Sequence, residues 1–333
     1  MDYGELKVLQ SRTMTEIVRR FPRPQMIGQQ LFPEKPVAGN VAAWDVVTGA
    51  RGLARYIAQG GEAHIRALTE RTRNTAELAL IKEKKVIDEA TKNFIDRPGA
   101  FDQPYGDQAI TDELEALDRL VENRREASRW YALMNGQLDI RQSDPAINFV
   151  VDYGINASHK VNKTGTERWS QNTTAKPLND LLAWKILIAQ DSGVSAGDVY
   201  MNSNTMIYLV DNSDIRDLMK YTVGDQIARN GYITALAGVN ITIYDTTYLD
   251  DSGNVQYMIP NDKTLIVAKD GLGKCFVGPS DIPGPTGVGT NKVVGKFSYS
   301  WSTKDPVDTW ILVGVRELPV IQNPNQMVIA TVN

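Results

Sequence analysis

The chain has 333 residues, 42% of them hydrophobic, and its 36 lysines and arginines nearly balance 40 acidic residues, leaving a net charge of -4. That balance gives no electrostatic footprint for tight nucleic-acid binding, which needs many phosphates neutralised by Lys and Arg. One cysteine, Cys275, and two histidines, His64 and His159, exclude an internal disulfide framework and argue against a zinc site, which wants clustered Cys and His ligands.

Residues 1 to 20 read as a helix, with Leu6, Leu9, Thr13 and Ile17 at the spacing of one face, and Pro22 and Pro24 stop it. The opening "MDYGELKVLQ" lacks the basic start and apolar core of a signal peptide, and no run of 18 apolar residues occurs, so a soluble, intracellular chain is expected. Val41 to Val47 reads as a strand. The stretch after it, "TGARGLARYIAQGGEAHIRALTERTRNTAEL", is too long for an ordinary turn and too poor in large apolar residues to hold its own core. If its two arms pair as a hairpin of about 16 residues each, they project roughly 50 Å at about 3.4 Å per residue. Such an arm has to lie on another molecule to be stable.

The spacing predicts a long helix over 111–135, with Thr111 as its cap, acids in its first turn, an apolar stripe through Leu114, Leu117, Val121 and Trp130, and Gly136 as its stop. Two strands are expected in 148–170 around the turn "KVNKTG", and a helix after Pro177 ending at Ser192-Gly193. "VNITIYD" alternates as a half-buried strand, with "DDSGN" turning into "VQYMIP". The Gly- and Pro-rich "GPSDIPGPTGVGTNK", residues 278–292, reads as a mobile loop, and the C-terminal segment as two more apolar strands.

Three stretches invite a chemical reading. His159, with Asp152 and Ser158 nearby, has the residue types of a hydrolase site. Successive strand residues point to opposite faces, however, so Ser158 and His159 make a poor dyad and a solvated hairpin histidine is the plainer reading. His64 reads as a surface residue. "DGLGKCF" ends like a phosphate loop but has Ala268 and Cys275 where that mechanism needs Gly and Ser or Thr, so a turn between strands, with Cys275 a small buried hydrophobe, is expected.

Charge grouping says more. Residues 51–85 carry eight basic residues, including Arg66, Arg71 and Arg73, against four acids, whereas 111–129 carries six acids, including Glu122 and Glu126, against four arginines. A charge run is also the signature of a solvated helix face. The functional reading places the basic arm of one copy over the acidic helix of the next, with Arg66, Arg71, Arg73, Glu122 and Glu126 as subunit-interface residues and complementarity setting register.

The order of long arm, long helix, α+β domain and returning C-terminal strands resembles the major capsid proteins of tailed bacteriophages, in particular the lambda-type capsid protein family. "LARYIAQGGEAHIRALTERTR", with Gly60, Gly61, Glu62, Ile65 and Arg66, is similar to that family's extended loop. "TGTERWSQNTTAKPLNDLLAWK" is similar to the family's strand with a Trp-Ser pair, here Trp169-Ser170, leading through Pro177 into the first helix of the axial domain, and "MIPNDKTLIVAK" and the ending punctuated by Asp305-Pro306, Pro319 and Pro324 are similar to recurrent segments of that family. The resemblance implies an α+β tailed-phage capsid fold of the Hong Kong ninety-seven type. Its parts would be an N-terminal arm (1–38), an extended loop (39–89), a peripheral domain with the spine helix (90–177 and 311–333) and an axial domain (178–310). It further implies a structural major capsid protein, not an enzyme, that self-assembles as pentamers and hexamers into the icosahedral shell around a double-stranded DNA genome. Expected partners are a scaffolding protein, a portal, a decoration protein in some relatives, and packaged DNA through weak non-specific contact, with no membrane. Assembly would occur in the host cytoplasm, and the final location would be the virion. No catalytic, cofactor or metal residues come with the resemblance, and no Lys–Asn cross-linking pair stands out. The alternatives are an encapsulin-like compartment shell and a hydrolase using His159.

Overall fold

The computed structural model describes residues 10–22, 26–47, 52–66, 68, 71–87, 103–140, 149–222, 232–250, 252–269, 271–284, 289–303 and 308–333. The N-terminal elements are α1 (Ser11–Arg20), α2 (Ile27–Leu31), β1 (Glu34–Pro36) and β2 (Val41–Val47); β3 (Arg71–Glu77) and β4 (Ala79–Ile87) then lead to α3 (Gln103–Asn135). Next come β5 (Gln137–Asp139), β6 (Val150–Asp152), β7 (Lys160–Asn162), α4 (Pro177–Ser192), β8 (Ala196–Met201), α5 (Ser203–Asp211) and α6 (Ser213–Thr222). They are followed by β9 (Ala235–Leu236), β10 (Val239–Ile243), β11 (Thr247–Leu249), β12 (Val255–Tyr257) and β13 (Lys263–Ala268). The chain ends with β14 (Gly273–Val277), β15 (Pro279–Pro283), β16 (Thr290–Val294), β17 (Phe297–Ser302), β18 (Thr309–Ile321) and β19 (Met327–Thr331).

The chain groups into two compact units. The first comprises Met1–Ala42, Glu77–Trp130 and Lys274–Val320. Its five-stranded sheet is organised on β18, which pairs antiparallel with β4 on one edge and β17 on the other, while β14 carries the parallel β1. The sequence of β18, "TWILVGVRELPVI", is nearly all apolar because the strand is buried along most of its length. On α1, Met14, Thr15 and Val18 form the buried face and the helix packs on β17, with the Thr15 hydroxyl donating to the Ser298 carbonyl at 2.9 Å. At the other end of α1, Arg19 donates to the carbonyls of Lys296 and Val294, where a cation suits the helix C-terminus.

The second unit comprises Ala43–Ala76, Tyr131–Gly273 and Ile321–Asn333. Its six-stranded sheet runs β7-β19-β13-β8-β10-β9. α4 packs over β13, β19 and β8, and its Leu181, Trp184 and Ile188 join Trp169, Val199, Ile241 and Val328 in one apolar core. Pro177 opens α4 at a position where its missing N–H costs nothing, and Gly193 closes it at φ 76°. Trp169 stacks on Trp184 with ring centroids 5.8 Å apart and donates its indole N–H to Asp180.

The sheets run across the expected boundaries at two places, and one expected loop holds a hairpin. Residues 273–302, expected with 178–310, supply β14 and β17 to the sheet of the first unit, because β18 recruits them as neighbours. Conversely, β7 and β19 pair into the sheet of β8 and β13. The expected loop 278–292 contains an antiparallel hairpin, β15 with β16, whose Pro279 and Pro283 stand at strand ends, where pairing tolerates them; residues 285–288 lie outside the described residues.

Other expectations are also corrected. α3 starts eight residues before Thr111, which is therefore interior to the helix and no cap, with Pro104 in the first turn. Leu6 and Leu9 lie outside the described residues. Among the described residues the arm is paired only at its base, β2 with β3, while β4 belongs to the sheet of β18. Between them, residues 52–66 form no strand. Neither is "ERWSQ" a strand: Gly165–Glu167 is a 3-10 turn.

Candidate functional site

The arm is the first feature with functional content. Every residue from 52 to 66 is exposed, including Leu53 (88%) and Ile65 (86%), and Leu68 just beyond is exposed at 97%. Gly60, at φ 85°, makes the reversal at which the Gly61 N–H reaches the Ala58 carbonyl. The Arg66 guanidinium donates to the Leu53 carbonyl and so ties the two sides of the arm together. Arg66, Arg71 and Arg73 are all exposed, as is His64. A chain segment that leaves its leucines and isoleucine in water has not found its burial partner within its own unit.

The acidic half of the expected interface is corrected. Glu122 is 3% and Glu126 0% exposed, and both are engaged within their own chain. Asp118, Glu122, Arg125 and Arg129 recur at i, i+4, i+7 and i+11 and therefore share one face of α3. The Arg125 guanidinium lies at the centre of this stripe and donates to Glu317 of β18 at 2.7 Å, to Glu122 at 2.8 Å and to Glu34 of β1 at 2.7 Å. Lys296, just before β17, donates to both oxygens of Asp118 at 2.7 and 2.9 Å and sits 3.0 Å from Glu122. Glu126 Oε1 accepts from the Gly28 N–H of α2 at 2.7 Å and from the Trp130 indole at 2.8 Å. Arg129 approaches Glu126 and Glu317 at 3.5 and 3.6 Å and the Cys275 thiol of β14 at 4.0 Å.

This cluster fastens α2, β1, β14, β17 and β18 to one helix face by charge. Burial pushes Glu317 up, yet Arg125 and Arg129 outweigh it and hold its pKa at about 2. Burial likewise pushes Glu122 up, but Arg125 and Lys296 keep it below the usual glutamate range. For Asp118 burial prevails over Lys296, and its pKa is raised. Burial also raises the Cys275 thiol, far above physiological pH, so it is inert as a nucleophile.

The sign of the pH dependence follows from the lowered carboxylates. A folded-state pKa of about 2 against an ordinary 4.5 gives Glu317 a contribution that is complete above pH 4.5 and is lost as pH falls toward 2. Unfolding midpoints measured between pH 5 and 2 should therefore fall with pH, and the slope should be shallower in Glu317→Gln. Equal slopes in the two proteins would contradict this assignment.

Gly28 is required by the same cluster. A Cβ there would lie 2.7 Å from one Glu126 oxygen and 2.8 Å from the other, and that carboxylate is already held by two donors. Gly28→Ala should cost about 1–3 kcal/mol in urea unfolding, as an overpacked site does; a cost near zero would mean that the carboxylate is free to move.

His159 does not form the arrangement of a hydrolase. It ends a 3-10 turn, Ala157–His159, rather than lying on a strand, and it is fully buried rather than solvated. Its Nδ1 lies 2.7 Å from the Met327 carbonyl and its Nε2 2.8 Å from Asp191 of α4, so it ties α4 to β19 within the second unit. Ser158 is exposed, and Asp152 accepts from the Gly154 N–H instead. Among the described residues no group of three or more His, Cys, Asp or Glu is arranged to hold a metal ion. Within "DGLGKCF", Gly273–Phe276 belong to β14, which pairs with β1 through Cys275 and Glu34.

A fold in which a long helix faces a sheet across buried charge, with an exposed arm and a separate α/β unit, is matched almost end to end by two solved structures. One is described as the capsid protein of a prophage of E. coli CFT073 (TM-score 0.67, 16% identity, 98% of this chain and 99% of that chain). The other is a phage-related protein of Bordetella bronchiseptica RB50 (TM-score 0.57, 12% identity, 97% of each chain). The architecture is thus that of a phage capsid protein. The chain matches the phage major capsid protein E family over residues 10–332 and belongs to it. It is a structural protein of the phage capsid that assembles with copies of itself into the shell.

Proposed function

We propose that this chain builds the icosahedral shell of a tailed phage around double-stranded DNA, as pentamers and hexamers in which the arm 52–66 of one copy lies on the next. Arg66, Arg71 and Arg73 are interface residues in this reading. Their partners are surface acids of a neighbouring copy rather than Glu122 and Glu126. The peripheral role falls on the first unit and the axial role on residues 131–273 and 321–333. The observation that carries the reading is the exposure of Leu53, Ile65 and Leu68 on a segment without a core of its own. Assembly takes place on a scaffolding protein in the host cytoplasm, and one vertex holds a portal. The net charge of -4 suits a container against which packaged DNA slides. Electron microscopy of the purified protein, alone and with a scaffolding protein added, tests this: closed shells with five-fold and six-fold capsomers are expected. Monomers alone, in several salts, would contradict it.

A further inference from the structure

The sheet of the first unit carries a face that the shell reading leaves unused. Register places Lys82 beside Gly314 and Phe297, Lys84 beside Leu312 and Tyr299, and Val86 beside Trp310 and Trp301, so these residues share one face of β4, β18 and β17. The hairpin β15–β16 covers the Phe297 end, where Ile282, Phe297 and Leu312 form a small core with Tyr299 and Trp301 at its margin. Trp301, Trp310 and Tyr299 remain partly exposed, and Lys82 and Lys84 are exposed.

The rings form a ladder, with Trp301 stacked on Trp310 at 6.1 Å and Tyr299 tilted against Trp301 at 5.6 Å. Lys84 caps Trp310 at 4.6 Å from the ring centroid, and Lys82 stands 5.9 Å from that of Phe297. Trp310 is therefore flanked by a ring and by an ammonium, and it offers no free face for a nucleobase to stack on. The two ammoniums themselves have no carboxylate within ion-pair distance among the described residues, whereas Lys85, on the opposite face, pairs with Glu113. Among the described residues β4 pairs only with β18, so the backbone groups of its outer edge are open to a further strand. Lysines on such an edge repel a like-charged strand and attract an acidic one.

We propose that the outer edge of β4 takes up an extended acidic segment of a partner protein as an added strand, with carboxylates two residues apart meeting Lys82 and Lys84. The spacing follows from the strand repeat, since residues i and i+2 lie about 6.8 Å apart on one face.

The test uses the full-length protein, both as subunits and as assembled shells, and three labelled probes followed by fluorescence anisotropy. One is a ten-residue peptide alternating Glu with Val and Thr, the second has the same composition with its glutamates in one block, and the third is an oligothymidylate. The alternating peptide should bind best, slow amide hydrogen exchange within 79–87, and lose at least about tenfold in affinity in Lys82→Gln/Lys84→Gln, with circular dichroism unchanged. Equal binding of the two peptides, no protection of 79–87, undiminished binding by the double variant, or binding of the oligothymidylate in place of the peptide would each overturn the proposal.

Discussion

Arg125→Met is expected to destabilise the first unit by roughly 3–5 kcal/mol, the cost of leaving buried charge without its partner. Arg125 is 1% exposed and satisfies three carboxylates from α3, β1 and β18. Without it, among the described residues Glu317 keeps Arg129 at 3.6 Å and Glu122 keeps Lys296 at 3.0 Å. Urea unfolding followed by tryptophan fluorescence measures the loss. Adding Glu317→Leu and Glu122→Leu to the same chain should recover much of it, because the two buried carboxylates then leave together with their cation, while Lys296 keeps Asp118 and Arg129 keeps Glu126. A loss under about 1 kcal/mol for Arg125→Met alone would show that water reaches the cluster.

The second large effect is on assembly rather than folding. Leu53→Asp, Ile65→Asp and Leu68→Asp in one chain should leave the unfolding midpoint within about 0.5 kcal/mol of the parent, since all three side chains are in water. Shell yield by sedimentation should nevertheless fall by about tenfold or more, as it does when apolar anchors of an interface are lost. Normal shells from the triple variant would remove the arm from the interface. Reversing Arg66, Arg71 and Arg73 to Glu should weaken assembly in a salt-dependent way. Lysines at positions 122 and 126 will not rescue that variant; they would stand beside Arg125 and Arg129 in the core and unfold it.

The spine helix, α4 and the arm were legible because each rests on a local signal: an apolar stripe, a Pro and Gly pair at the helix ends, and a long segment too polar to hold a core. The charge cluster was not, because acids on an amphipathic helix ordinarily mark its wet side. Glu122 and Glu126 carry the same composition whether they face water or an arginine. The readable clue was Glu317, the one acid of β18 and on the face opposite to the neighbouring Arg316, since a carboxylate within so apolar a strand demands a buried cation. His159 misled for a related reason: its partners, Asp191 and the Met327 carbonyl, are 32 and 168 residues away, and only the fold brings them together. In 278–292, Gly and Pro mark a loop by composition, whereas β15 and β16 pair antiparallel as a two-stranded sheet from Pro279 and Val294 to Pro283 and Thr290.

Site-specific cross-linking from Tyr56 tests the central claim that the arm completes itself on a neighbour. Tyr56 is exposed at the middle of the arm, and the one native cysteine, Cys275, is buried with its thiol pushed up, so a cysteine placed by Tyr56→Cys can carry a photoreactive label alone. In assembled shells irradiation should convert monomer bands into dimers and higher ladders, with the cross-linked peptides joining the arm to the surface of another copy, and dissociated subunits should show none. Cross-links that remain within one chain in intact shells would contradict the account.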